Sequence, residues 1–188
     1  MTSLIIIVSA GVLLLIIIIL LFNNLIRKKN EVQNIFGSVD ALLKKRYDLI
    51  PNLVSSVKTY MKHEASLLTS LTELRAKAIN PAIDLKEKID LQEKISRALD
   101  SIMIAVEAYP DLKASQNFLQ LQAALNEVEE QISAGRRAYN AAVTAYNNAV
   151  ETIPGNLAAF LMRYKPKPVM ETPESERKNI NVKELFEK

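Results

Sequence analysis

From Leu4 to Phe22 the chain is apolar without a charged residue, and only Ser9 and Gly11 relieve the run of bulky side chains. A helix rising about 1.5 Å per residue crosses a hydrocarbon core of about 30 Å over such a length. Lipid offers the backbone no hydrogen-bond partners, so a segment that spans it has to satisfy its own N–H and C=O groups as a helix. A cleaved leader would need a basic start, a shorter apolar core and a small-x-small site beyond it. Met1-Thr2-Ser3 carries no side-chain charge, and Asn23-Asn24-Leu25-Ile26 follows the run. The expectation is a retained anchor over residues 1–26. Arg27, Lys28 and Lys29 come directly after it and no Lys or Arg comes before, so the positive-inside rule puts the N-terminus outside and the remainder in the cytoplasm.

Roughly 160 residues remain, enough for one domain with a respectable core. Half the residues are apolar, Trp is absent and Gly is scarce, which favours long helices over sheets. The absence of Cys removes disulfides, thiolate catalysis and Cys-based zinc sites together. The net charge of +3 is mild, and its basic part gathers near the anchor in Arg27, Lys28, Lys29, Lys44, Lys45 and Arg46. Anionic headgroups attract such residues at about 1 kcal/mol each close to the surface. No nucleic-acid motif or stacking-aromatic pattern accompanies them, so no nucleic-acid partner is expected.

Apolar residues at alternating spacings of three and four begin at Val32 and continue through Phe36, Val39, Leu43, Ile50, Leu53, Val57, Tyr60, Leu67, Leu71, Leu74 and Ala78. That is a helix-packing seam of coiled-coil type, with Arg46 and Glu64 at its two polar positions. The phase runs through Pro51. Either Pro51 interrupts one long helix, or Asp48 caps a new helix with Pro51 in its first turn, where a missing N–H matters least. Asn80-Pro81 ends this segment, and a second helical pattern runs from Asp84 to Val106 until Tyr109-Pro110-Asp111 stops it. The seam restarts in another phase at Phe118 and continues through Leu121, Leu125, Val128, Ile132, Tyr139, Ala142 and Tyr146. Within it, Ala138-Tyr139-Asn140-Ala141-Ala142-Val143 returns seven residues later as Ala145-Tyr146-Asn147-Asn148-Ala149-Val150, a packing device that repeats each Tyr at one seam position. Ile153-Pro154-Gly155-Asn156 closes that helix and a short amphipathic piece, Leu157 to Tyr164, follows. Residues 165–188 hold three prolines and many charges and read as a disordered tail.

The expected fold is all-α: an N-terminal transmembrane helix followed over residues 27–164 by an antiparallel up-and-down bundle. It has four long helices, or three if the first two run on through Pro51.

The stretch Phe22-Asn-Asn-Leu-Ile, then Leu42-Leu-Lys-Lys-Arg-Tyr-Asp-Leu-Ile-Pro-Asn-Leu-Val54 and His63-Glu64, resembles the first half of the LemA family pattern. The later runs Glu107-Ala-Tyr-Pro-Asp-Leu-Lys-Ala-Ser-Gln-Asn-Phe118, Arg136-Arg-Ala-Tyr-Asn140 and Ile153 to Ala159 resemble its second half in order and spacing, with Ile153 where the family usually has Phe. The family motifs place Arg46, Asp48, Pro51, Asn52, Glu64, Pro110, Asp111, Lys113, Tyr139 and Asn140 among the residues of interest. The resemblance implies a bacterial inner-membrane protein carrying a four-helix bundle without established enzymatic activity. Relatives connected with a membrane zinc metalloprotease and with magnetosome membranes imply a role at membranes. Four helices also tip the choice at Pro51 toward a turn there.

His63 is the single histidine, and Leu67 stands where a zinc protease needs its second His, so neither that chemistry nor a di-iron bundle with paired Glu-x-x-His motifs can be built. The four Gly are isolated and form no phosphate-cradling loop. No enzyme, cofactor or metal is expected. Asp48 and Asp111 beside their prolines read as helix-start residues. Arg46 on the seam points inward and needs a carboxylate or several carbonyls, with Glu64 or an acid from the last helix as its expected partner. Tyr139 and Tyr146 read as core. Leu157, Phe160, Leu161 and Tyr164 read first as a stripe folding back on the bundle, with interfacial membrane contact, helped by Arg163, Lys165 and Lys167, as the alternative.

The function expected is a non-enzymatic membrane-anchored scaffold that self-associates and organises membrane partners in contact with the bilayer. The alternative is a regulatory adaptor bound to one membrane enzyme such as a zinc metalloprotease, with Leu185-Phe186 as a docking segment.

Overall fold

The structure is a computed structural model and describes residues 1–170. Among these residues it is all-helical: α1 (Thr2–Val57), α2 (Ala65–Ala78), α3 (Leu85–Val106), α4 (Pro110–Lys113), α5 (Gln116–Glu151) and α6 (Gly155–Met162). Leu185-Phe186 and most of the expected tail lie outside the described residues. Contacts divide the chain into two units, residues 1–45 with 126–169, and residues 46–125 with Met170. Both α1 and α5 contribute to each.

The first 20 residues of the chain are exposed throughout, and the helix they open is long and apolar enough to cross a membrane. Burial starts at Leu25 and recurs at Val32, Val39, Arg46 and Leu53, a strict seven-residue interval. A second line, Leu43, Ile50 and Val57, completes the packing stripe. The span thus passes into the packed stretch without an interruption.

The turn expected at Asp48–Pro51 is not there: α1 continues through Pro51, and Asp48 is an interior residue, not a cap. Pro51 lies on the exposed face, where its ring meets little. It has no N–H to offer the Tyr47 carbonyl one turn earlier. That carbonyl instead accepts a hydrogen bond from Arg75 Nε of α2 at 2.7 Å, and Arg75 Nη2 lies 3.9 Å from Asp48. The reversal comes later, between Val57 and Ala65, in a stretch with neither Gly nor Pro. There the seam slips by one residue: Met61 is buried where Tyr60 was expected, and Leu68 where Leu67 was.

In the unit of residues 46–125, α3 starts where the sequence places it, with Asp84 accepting from the Glu87 N–H at 2.8 Å as a helix cap. Its stripe of Leu91, Ile95, Leu99, Ile102 and Val106 is buried. In the unit of residues 1–45 and 126–169, α1 and α5 run antiparallel. Phe36 meets Tyr139 in a tilted ring contact with centroids 5.8 Å apart, Val39 faces Gly135, and Lys45 lies 3.8 Å from Glu127, so partners fall on α5 as they rise on α1. A Cβ at Gly135 would come within 2.9 Å of the Val39 Cγ2, so the glycine admits a close approach of the two helices.

Candidate functional site

Residues 153–164 are the most unusual surface of the described chain. Leu157, Phe160 and Leu161 are 65%, 83% and 70% exposed, and Ile153 just before the helix is equally open. At 100° per residue these positions form one face of α6, while Ala158 and Ala159 form the buried one. The stripe expected to fold back on the bundle therefore points away from it, and small residues make the contact. Leaving a side chain of the Leu or Phe class exposed forgoes about 1.5–3 kcal/mol of burial, so three together form a patch that calls for an apolar neighbour.

The two ends of α6 are tied to the exit of the apolar stretch. Leu21, Asn24 and Lys28 of α1 line one cleft with Thr152, Ile153, Pro154 and Gly155. Gly155 is obligatory for this, because a Cβ there would lie 2.2 Å from the Ala149 carbonyl oxygen. At the other end, Lys29 Nζ sits 4.8 Å from the centre of the Tyr164 ring and 3.4 Å from its hydroxyl. Arg163 ends the helix in the left-handed conformation, φ 55°, and the Tyr164 N–H bonds back to the Ala159 carbonyl at 2.9 Å. Of the basic trio, Lys28 and Lys29 are half-buried and Arg27 is exposed.

Beyond α6 the chain is held where a disordered tail was expected to begin. The Tyr146 hydroxyl donates to the Lys165 carbonyl and the Tyr139 hydroxyl to the Pro168 carbonyl, both at 3.1 Å. Asn147 grips Lys167 twice, donating to its carbonyl at 2.9 Å and accepting from its N–H at 2.8 Å. Two helical turns advance about 10.5 Å and three extended residues about 10 Å, so a Tyr repeated every seven residues matches carbonyls three residues apart. The heptad repeat is thus both core and clamp. Burial holds the Tyr139 hydroxyl above the ordinary tyrosine range, and burial with Tyr164 nearby does the same for Tyr146.

In the unit of residues 46–125, Arg46 is 0% exposed, as its seam position implies. Glu64 is not its partner. Arg46 Nη1 donates to Ser96 Oγ at 2.9 Å and Nη2 reaches the Gln92 carbonyl at 3.5 Å, so α3 supplies polar groups to a guanidinium too rigid and too charged to be left dry. Glu64, just before α2, instead accepts from the Tyr109 hydroxyl through both oxygens, at 3.0 and 2.8 Å. That bond, then burial and the carboxylate charge, raises the Tyr109 pKa. Pro110 opens α4 with Asp111 in its first turn, where a carboxylate suits the helix dipole, and Lys113 pairs with Glu107. Asn52 lines a shallow cleft with Ser55, Ser56 and Asn117, His63 is exposed in the α1–α2 turn, and Asn140 is half-buried. An apolar groove of about 440 Å³ runs between Val54, Met61 and Leu68, with Lys58, Lys62 and Glu73 along it. Among the described residues no three His, Cys, Asp or Glu side chains gather as a metal site would require.

Sequence reasoning overlooked Arg75, Ser96, Asn147 and the buried Arg136, which lies 3.6 Å from Glu129. Asn147 carried a signal in its place in the repeated heptad, and Arg136 in its seam position between Ile132 and Tyr139 and its place at the head of the Arg136-Arg-Ala-Tyr-Asn140 run.

The model of the LemA family matches residues 35–183. The chain belongs to the LemA family. It is 29% identical over 161 residues to Protein LemA of Metamycoplasma hominis, covering 86% of this chain and 74% of that one. It is also 33% identical over 82 residues to Magnetosome protein MamQ 2 of Paramagnetospirillum magneticum, covering 40% of this chain and 30% of the relative. A MamQ of Magnetospirillum gryphiswaldense is 28% identical over the same length. As a LemA-family protein with a long apolar N-terminal helix, the chain is membrane-associated.

Proposed function

We propose that this LemA-family chain is a non-enzymatic scaffold, which holds a helical bundle on the cytoplasmic side of a bacterial inner membrane and self-associates there. The observation that carries the reading is the continuity of α1, one helix from the apolar stretch to the packed seam. A bundle attached in that way keeps a fixed direction relative to the bilayer, and confinement to the surface raises its effective concentration toward other membrane-held proteins. Arg27, Lys28 and Lys29 at the exit support the cytoplasmic side. Buried polar groups that serve packing, such as Arg46 with Ser96, support a structural role for the family-motif residues.

The test is the size of the full chain extracted in mild detergent, with protease protection in spheroplasts for its side. Uniform homo-oligomers with a protected bundle are expected. A monomer carrying a stoichiometric foreign enzyme would replace the scaffold by an adaptor, and digestion from outside would reverse the topology.

A further inference from the structure

We propose that α6 is a second membrane contact, lying in the headgroup–acyl boundary of the same bilayer that the N-terminal helix crosses. The inference rests on the anchor reading and adds a site to it. Three observations converge on the bilayer as occupant. The outward face of α6 is wholly apolar, Leu157, Phe160 and Leu161 with Ile153 before it, and its inward face is Ala158 and Ala159. Both ends of the helix adjoin α1 between Leu21 and Lys29, where the apolar stretch gives way to charge, so the exposed face lies at the level where the span leaves the hydrocarbon. Cations flank it: Arg27 and Lys28 on α1, then Arg163, Lys165 and Lys167.

An amphipathic helix with that distribution sinks its apolar face into the boundary and leaves its cations to anionic headgroups. Its shortness is offset by the fixed position. A free octapeptide would bind weakly, but α6 is held at the interface by the span, so insertion proceeds at high effective concentration. With α1 crossing and α6 lying flat, the bundle has two points of attachment, which fix its rotation about the span.

The chain contains no Trp, so one introduced indole reports alone. Full-length Phe160→Trp is reconstituted into vesicles of phosphatidylcholine and phosphatidylglycerol, with and without bromine on the upper acyl chain; Ile104→Trp, an exposed site on α3, is the control. Bromines near a depth of about 5–10 Å should quench the Phe160→Trp emission at least about two-fold and shift it to the blue, leaving the control unchanged. Leu157→Trp repeats the measurement on the same face should the first variant fold poorly. Emission like that of the control in vesicles that still carry the protein overturns the inference alone. A blue shift indifferent to bromine also overturns it, because protein is then the cover. Failure of the protein to float with the vesicles removes the anchor reading and the inference together.

Discussion

Arg75→Met tests the account of how a proline survives in the middle of α1. The substitution keeps most of the aliphatic stem and removes the Nε–H that the Tyr47 carbonyl accepts at 2.7 Å. Tyr47 is only 3% exposed, and Pro51 has no N–H to take over. An acceptor left without its donor in such a place costs about 1–3 kcal/mol. The Arg75–Asp48 pair adds little, since Asp48 is 60% exposed and 3.9 Å away; such pairs give about 0.2–1 kcal/mol. The expected loss is therefore about 1–3 kcal/mol, read as a fall in Tm of about 2–4 °C per kcal/mol for a chain of this size by circular dichroism in detergent. Pro51→Ala restores a backbone N–H to the Tyr47 carbonyl, so in the Arg75→Met background it should recover about 1 kcal/mol more than it does in the parent. Asp48→Ala should show no such recovery. Equal effects of Pro51→Ala in both backgrounds, within about 0.5 kcal/mol, would refute the coupling.

Other consequences are open to the same melting assay. Arg46→Ala should cost about 2–4 kcal/mol by leaving a cavity beside Ser96, and an unchanged Tm would contradict its burial. Gly155→Ala, whose Cβ would press on the Ala149 carbonyl, should cost about 1–3 kcal/mol and speed proteolysis between α5 and α6. Arg163→Gly should stabilise by about 0.4–1 kcal/mol, because glycine holds φ near 55° without strain. Tyr109, Tyr139 and Tyr146 all have pKa values raised above the ordinary 10.0 in the folded state. The native protein then holds its phenolic protons more tightly than the unfolded chain, so their contribution is complete below pH 10 and lost as the pH rises through the folded values. Tyr109→Phe should flatten that alkaline decline, and an identical slope would argue against the Glu64 bond as its cause.

The placement of α3 shows what local chemistry makes legible. The start near Asp84, the apolar pattern through Ile95, Leu99, Ile102 and Val106 and the Pro-marked stops at Asn80-Pro81 and Tyr109-Pro110 are short-range signals, and the chain obeys them. Pro51 shows where local chemistry misleads. Its cost to a helix is set by whether another donor reaches the Tyr47 carbonyl, and that donor is 28 residues away on α2. The true reversal after Val57 has no Gly or Pro to announce it; burial of Met61 in place of Tyr60 marks it. The family-motif residues follow the same division. The inward position of Arg46 was readable from the seam, but its partners on α3 were not, and Glu64 went to Tyr109.

By itself the sequence determined that this chain is helical, that its first stretch is apolar enough to span a bilayer, and where the long seams of α1 and α5 are buried, because periodicity and hydrophobicity act between residues three to seven apart. Tertiary structure decided which face of α6 looks outward, since Ala158 and Ala159 permit the closer approach and leave Leu157, Phe160 and Leu161 outside. It also decided that Lys165–Pro168 are held by Tyr146, Asn147 and Tyr139 and not left loose. Polar residues and prolines lack a hydrophobic pattern to betray such a segment. Its order comes from the match between two turns of α5 and three extended residues, a coincidence of lengths that exists only once both pieces of chain lie side by side.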